Sequence, residues 1–155
     1  MPVEFIRATT EADYQAAASL FREYAAWLGI DLSFQDFGNE LLELHDQYGP
    51  PKGGIILCKS DDAYIGCAGV REWEGDEAEL KRMYLQPAFQ GKGSGKRLLT
   101  ETLELARELG YKSIRLDTLE KLEAALQLYR SQGFKETPPY YHNPNAGVVF
   151  MQLGL

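Results

Sequence analysis

The stretch Glu79-Leu80-Lys81-Arg82-Met83-Tyr84-Leu85-Gln86-Pro87-Ala88-Phe89-Gln90-Gly91-Lys92-Gly93-Ser94-Gly95 reads as a strand that runs into a glycine-rich, cationic turn just ahead of an amphipathic helix. Glycines at alternate positions let the backbone turn its N–H groups inward without β-carbon obstruction. The helix that begins there adds the positive end of its dipole. Such a turn is an anion cradle of a size that suits a pyrophosphate.

Spacing decides which phosphate-binding loop this is. A nucleotide-triphosphate P-loop needs four residues between its first glycine and Gly-Lys-Ser/Thr. Only three residues separate Gly91 from Gly95-Lys96, and Arg97 stands where a magnesium-binding hydroxyl belongs. The dinucleotide pattern G-x-G-x-x-G fails as well, because its third glycine would fall at Lys96.

The pattern that fits is Q/R-x-x-G-x-G/A, written as Gln90-Gly91-Lys92-Gly93-Ser94-Gly95 directly after a strand. Further on, Leu128-Tyr129-Arg130-Ser131-Gln132-Gly133-Phe134 forms an L-Y-x-x-x-G-F element, and Glu79 sits on the preceding strand. In this order the elements resemble the GNAT superfamily of acetyl-CoA-dependent N-acetyltransferases, over residues 78–137.

Length and composition bound the rest. The 155 residues suit one domain, residues 1–155, and no linker-like stretch interrupts them. Hydrophobic residues at 45% and charged residues at 25% fit an ordinary globular chain. The start lacks a cationic segment followed by an apolar one, and no run is long enough to span a bilayer, so a cytoplasmic location without membrane attachment is expected. A formal net charge of -7 disfavours nucleic acid as a partner and favours a cationic small substrate. A homodimer is compatible with the sequence.

The two cysteines flank Ser60-Asp61-Asp62-Ala63, which reads as a hairpin turn. Centring it on Asp61 and Asp62 sets Cys58 against Ile65 and Cys67 against Ile56, leaving the thiols diagonal at about 7–8 Å. That is poor disulfide geometry, so both are expected as buried thiols. His45 and His142 have no third ligand at metal spacing, and no metal is expected.

In chain order, a strand at 3–8 precedes Thr10-Glu11-Ala12-Asp13, a capping-box-like helix start. Ala17, Leu20, Phe21, Tyr24 and Leu28 then recur at helical spacing up to Gly29. A single second helix is expected from Phe34, Phe37, Leu41, Leu42 and Leu44, stopped by the Gly49–Gly54 segment. Strands follow at 54–59, 63–72 and 77–86, with a helix from Gly95 to Leu109. A strand at 112–117, a helix from about Glu120 to Ser131, and strands near 134–137 and 147–153 complete the chain. The fold class expected is α/β, with a mixed, mostly antiparallel sheet flanked by helices. The resemblance implies a splay between the two central parallel strands, 77–86 and 112–117, that admits the cofactor.

Acetyl transfer to an amine needs a neutral nitrogen, an oriented thioester and a protonated leaving thiol. Glu79, eleven residues before Gln90, matches the placement of the family's general base. With Lys81 on the same strand face it also fits a surface ion pair, and Glu77 is the fallback base. Tyr129 stands where GNAT enzymes often carry a tyrosine near the cofactor sulfur, its hydroxyl able to protonate the thiolate. It also fits a buried aromatic sharing a stripe with Leu122 and Ala125.

The resemblance further assigns cofactor contacts to the segment Met83, Tyr84 and Leu85, with the main-chain N–H groups of Met83 and Leu85 meeting the thioester and pantetheine. The backbone of Gln90, Gly91, Lys92, Gly93, Ser94, Gly95 and Lys96 would hold the pyrophosphate, with the side chains of Lys92, Lys96 and Arg97 beside it. Leu122 replaces an asparagine that many relatives carry. Tyr24, Trp27, Tyr140 and Tyr141 are candidate acceptor-pocket residues, the last two in the stiff segment Pro138–Asn145. The reading is an N-acetyltransferase acting on a primary amine in a ternary complex, with CoA as product. A catalytically silent acyl-CoA-binding module is the alternative.

Overall fold

A computed structural model describes residues 2–155. Strand β1 (Val3–Arg7) leads into helix α1 (Glu11–Leu28) through the expected capping box. Thr10 Oγ1 accepts from the Asp13 N–H at 3.1 Å, and Asp13 Oδ2 accepts from the Thr10 N–H at 3.2 Å. This satisfies two of the four orphan N–H groups of the first turn. Gly29, with φ +73°, closes the helix in the left-handed conformation that glycine favours.

The expected second helix is instead three short pieces. A 3-10 turn at Ser33–Gln35 is followed by α2 (Phe37–Leu42) and α3 (Leu44–Tyr48). Asp36, with φ +59°, ends the first piece, and Glu43, at φ -121°, leaves helical geometry between the other two. The breaks serve burial of charge: Glu40 is turned inward, 1% exposed, against Arg82 and Tyr48.

Strands β2 (Gly54–Ser60), β3 (Ala63–Glu74), β4 (Glu77–Leu85), β5 (Ser113–Leu119), β6 (Lys135–Glu136) and β7 (Val148–Gly154) join β1 in one sheet, ordered β1-β2-β3-β4-β5-β7-β6. Every neighbouring pair is antiparallel except β4 and β5. Helices α4 (Ser94–Glu108) and α5 (Glu123–Ser131) bury Leu98, Leu99, Leu103, Leu126 and Tyr129 on one face of the sheet, against Ile56, Ile65, Val70 and Ile114. On the other face, Leu20, Phe21 and Tyr48 pack on Ile55, Leu57 and Cys67. Among the described residues no helix is long and apolar enough to cross a membrane.

The β2–β3 hairpin turns at Asp61 and Asp62, but its register shifts between Cys58 and Lys59. Cys58 therefore opposes Gly66, and Cys67 opposes Leu57, which corrects the pairing expected from the turn alone. The extra residue sends the two thiols into the clusters on opposite faces of the sheet, so they are not diagonal neighbours. Both are free and buried.

Two irregularities in β4 shape the gap beside it. The ladder to β5 covers only Glu77–Glu79 against Ser113–Arg115, after which the strands part. On its other side β4 bulges: Gly69 faces Lys81 while Cys67 faces Tyr84, so Arg82 and Met83 together oppose Ala68. Arg82 adopts φ +58°, a strained conformation for a residue with a β-carbon. Its guanidinium is fixed by two bonds to Glu40, Nη2 to Oε1 at 2.8 Å and Nε to Oε2 at 2.9 Å, and lies over the Phe37 ring.

Candidate active site

The bulge aims the β4 backbone. The Arg82 carbonyl accepts from Cys67 Sγ, on the β3 side, and the Tyr84 carbonyl lies against Gly66 of β3. In a trans peptide the carbonyl and the following N–H point in opposite directions. The N–H groups of Met83 and Leu85 therefore face away from β3, toward the gap left by β5.

At the end of β4 the glycine turn takes the cradle geometry. Gly91 and Gly93 have φ +76° and +86°, where any other residue would be strained, and a β-carbon at either would meet open space. Gln90 Nε2 ties the turn to the Leu85 carbonyl at 2.7 Å. Helix α4 starts at Ser94 without a side-chain cap, and the Arg97 N–H bonds back to the Gly93 carbonyl at 3.3 Å. The N–H groups of Ser94, Gly95 and Lys96 precede that bond and have no intrahelical acceptor. A diphosphate fits this donor set. Lys92 and Lys96 are exposed beside it, whereas Arg97 lies over the Phe5 ring at 4.5 Å.

A cavity of about 590 Å³ runs from this turn through the gap to the end of α1. Of the residues singled out from sequence, Met83, Tyr84, Leu85, Gln90, Gly91, Gly93, Gly95, Lys96, Tyr129, Tyr24 and Trp27 line it. Glu79, Lys92, Ser94, Tyr140 and Tyr141 do not. Leu122 lines the wall with Ala125 and Leu128, so that wall is apolar. Tyr129 is buried, with its ring edge-on to Phe134 and its hydroxyl 3.7 Å from Met83 Sδ, its one hydrogen-bond contact among the described residues. Burial, together with the negative fields of Tyr24 and Asp117, pushes its phenol well above the ordinary range, so the hydroxyl keeps its proton.

The far end of the cavity is polar. Glu79 is 1% exposed, and both of its oxygens are engaged: Oε1 accepts from Arg71 Nε at 3.0 Å and Oε2 from the Tyr140 hydroxyl at 2.7 Å. The ion pair expected with Lys81 is long, at 3.9 Å, and it is buried rather than at the surface. Lys81 is the member of that pair that lines the cavity. Burial, opposed by the Glu79 charge, brings its amine from 10.5 down to about 8. Gln35 Oε1 accepts from Lys81 Nζ at 3.1 Å and from Arg82 Nη1 at 2.6 Å. Tyr141 donates to Asp117 Oδ2, which also accepts from Asn143 Nδ2 at 2.9 Å. The fallback carboxylate, Glu77, is held by Arg115, Ser113 and Gln152.

Sequence reasoning did not single out Gln35, Glu40, Arg71, Arg82 or Asp117. None belongs to a motif, and the available signal was weak: Arg82 beside Lys81 within a strand, and Asp117 following the alternating Ile114 and Leu116.

Residues 17–134 match the acetyltransferase (GNAT) family, and the chain belongs to that family. It is an acetyl-CoA-dependent acyltransferase by this membership. Over 136 residues it is 40% identical to an uncharacterised N-acetyltransferase of Schizosaccharomyces pombe, covering 86% of this chain and 83% of that protein. The N-alpha-acetyltransferase RimI of Mycobacterium tuberculosis is 36% identical over 133 residues, covering 84% and 77%. The fold matches the PaiA N-acetyltransferase of Thermoplasma acidophilum, solved in complex with coenzyme A, with TM-score 0.75, 20% identity and full coverage of both chains.

Proposed function

We propose that this chain moves an acetyl group from acetyl-CoA to a primary amine of a small molecule or peptide, by direct attack in a ternary complex. The observation that carries the reading is the continuity of one cavity from an uncapped helix N-terminus, through the β4–β5 gap, to a buried polar end. The backbone of Gln90–Lys96 holds the pyrophosphate of acetyl-CoA, and the Met83 and Leu85 N–H groups orient its pantetheine arm and thioester. Bound acetyl-CoA supplies an activated acetyl group.

The chain's own residues manage the protons. Tyr129, kept protonated by burial, donates to the departing thiolate and takes in return the second proton that the acylated nitrogen gives up. Glu79 acts as the carboxylate of the base through Lys81: the neutral Lys81 amine takes the acceptor's proton, and the Glu79 charge stabilises the resulting ammonium. Tyr24 and Trp27 wall the acceptor end, and Tyr140 and Tyr141 brace it from behind. A thiol-active nucleophile has no place in this scheme, because burial raises Cys58 to about 12 and Cys67 well above its usual range.

Calorimetric titration with acetyl-CoA tests the donor half, with Gly93→Glu as the comparison. The added carboxylate sits where the pyrophosphate belongs, so micromolar binding should be lost in a variant that still unfolds cooperatively. A folded wild-type protein that ignores acetyl-CoA would overturn the proposal. Thiol release from acetyl-CoA in the presence of amines then reads the transfer itself.

A further inference from the structure

Among the described residues two carboxylates line the cavity, Glu123 and Asp117; Glu123 is exposed at the start of α5, whereas Asp117 is half-buried and held in place by hydrogen bonds. Glu79 has both oxygens engaged and does not line the cavity, and Glu40 is spent on Arg82. Asp117 does line it, and only one of its oxygens is occupied. Oδ2 accepts from Tyr141 and Asn143, while Oδ1 accepts no hydrogen bond among the described residues and is not buried.

The two donors fix the orientation of the carboxylate. Tyr141 is itself held by Gln35 Nε2 at 2.5 Å, and the Asn143 side chain is held in turn by two bonds from Asn145. Two separate segments, the turn at Gln35 and the loop 141–145, thus pin one oxygen of Asp117 and leave the other without a partner among the described residues. No cation among the described residues pairs with it within ion-pair distance. A pre-set carboxylate with a free acceptor oxygen in a low-dielectric cavity is complementary to an ammonium group. Trp27, Ile30, Leu32 and Phe34 line the same cavity, an apolar wall that an apolar or aromatic stem on that nitrogen would cover.

We propose that Asp117 is the docking residue for the acceptor's ammonium group, and that the acceptor is a primary amine on an apolar or aromatic stem. This rests on the N-acetyltransferase reading for its consequence but not for its test. Asp117 holds the nitrogen as a cation; Lys81, on the other side of the gap, takes the proton, so one N–H bond breaks, one forms at Nζ, and total charge is conserved.

The test is isothermal titration with 2-phenylethylammonium chloride and with neutral 2-phenylethanol, on wild type and on Asp117→Asn. On wild type the ammonium should bind at least tenfold more tightly than the alcohol, and in Asp117→Asn the two should bind alike. Ethylammonium, which lacks the ring, should bind at least tenfold more weakly than 2-phenylethylammonium. Cooperative urea unfolding of the variant establishes that it is folded, and the wild-type charge preference is readable without it. Equal affinities on wild type, no ammonium binding, or a preference that survives Asp117→Asn would each overturn the assignment. Unimpaired acetyl-CoA binding beside any of these leaves the transferase reading standing; loss of acetyl-CoA binding alone overturns that reading and not this one.

Discussion

Replacing Lys81 with methionine removes a cation whose proton affinity differs sharply between the folded and unfolded chain. The folded amine sits at about 8 because burial penalises its charge more than Glu79, at 3.9 Å, restores it; the unfolded value is 10.5. Between these values the unfolded chain binds the extra proton, so the contribution of Lys81 to stability rises with pH. Its penalty is fully present below pH 8 and fully relieved above 10.5. The whole difference corresponds to about 3 kcal/mol, of which about 2 kcal/mol falls between pH 7 and 9.5.

Cys58 and the buried tyrosines titrate with the opposite sign at higher pH, since their folded values are raised. They are common to both proteins and cancel in the difference. Urea unfolding of wild type and Lys81→Met at pH 7, 8, 9 and 9.5 therefore isolates the amine. Urea carries no charge, and equal m-values would verify that the denatured states match. The stability of the wild type relative to the variant should climb by about 2 kcal/mol across the series. Parallel curves, or a difference that falls with pH, would refute the view that Lys81 is a cation held at a cost in the cavity wall.

Other outcomes follow from the same geometry. Glu40→Gln leaves Arg82 buried, at 5% exposure, without its counter-charge, and should cost about 3–5 kcal/mol in urea unfolding; a cost under about 1 kcal/mol would mean that the pair does not hold the bulge. Tyr129→Phe should lower kcat by about a hundredfold or more while leaving acetyl-CoA affinity within about twofold. A comparable loss of affinity would make Tyr129 a packing residue instead. With Lys81 as the proton acceptor, kcat/KM for an amine should rise with pH through a midpoint near 8 to a plateau above it, and Glu79→Gln should move that midpoint downward, because the counter-charge that favours the ammonium is removed.

Residues close together in the chain made much of this protein legible before its structure. The cradle from Gln90 to Lys96 is one contiguous turn, and its glycines specify their own backbone angles whatever surrounds them. The helices α1 and α4 carry their apolar periodicity and stop signals within themselves, and the Thr10–Asp13 cap closes over three residues. The single helix expected after α1 fails because Glu40 turns inward toward Arg82, 42 residues away, which periodicity cannot register.

The polar end of the cavity depends on partners that only the tertiary structure assembles. Glu79 meets Tyr140 across 61 residues, Lys81 meets Gln35 across 46, and Tyr141 meets Asp117 across 24. Side-chain hydrogen bonds of this kind leave no periodic trace, because each contributing segment need supply only one polar residue. The bulge at Arg82 and the early end of the β4–β5 ladder are likewise agreements between strands rather than properties of one. By itself the sequence therefore determined the glycine turn in which we propose that the pyrophosphate is held. The tertiary structure decided which carboxylates are spent on fixing the scaffold and that Asp117, held through one oxygen, keeps the other free at the cavity.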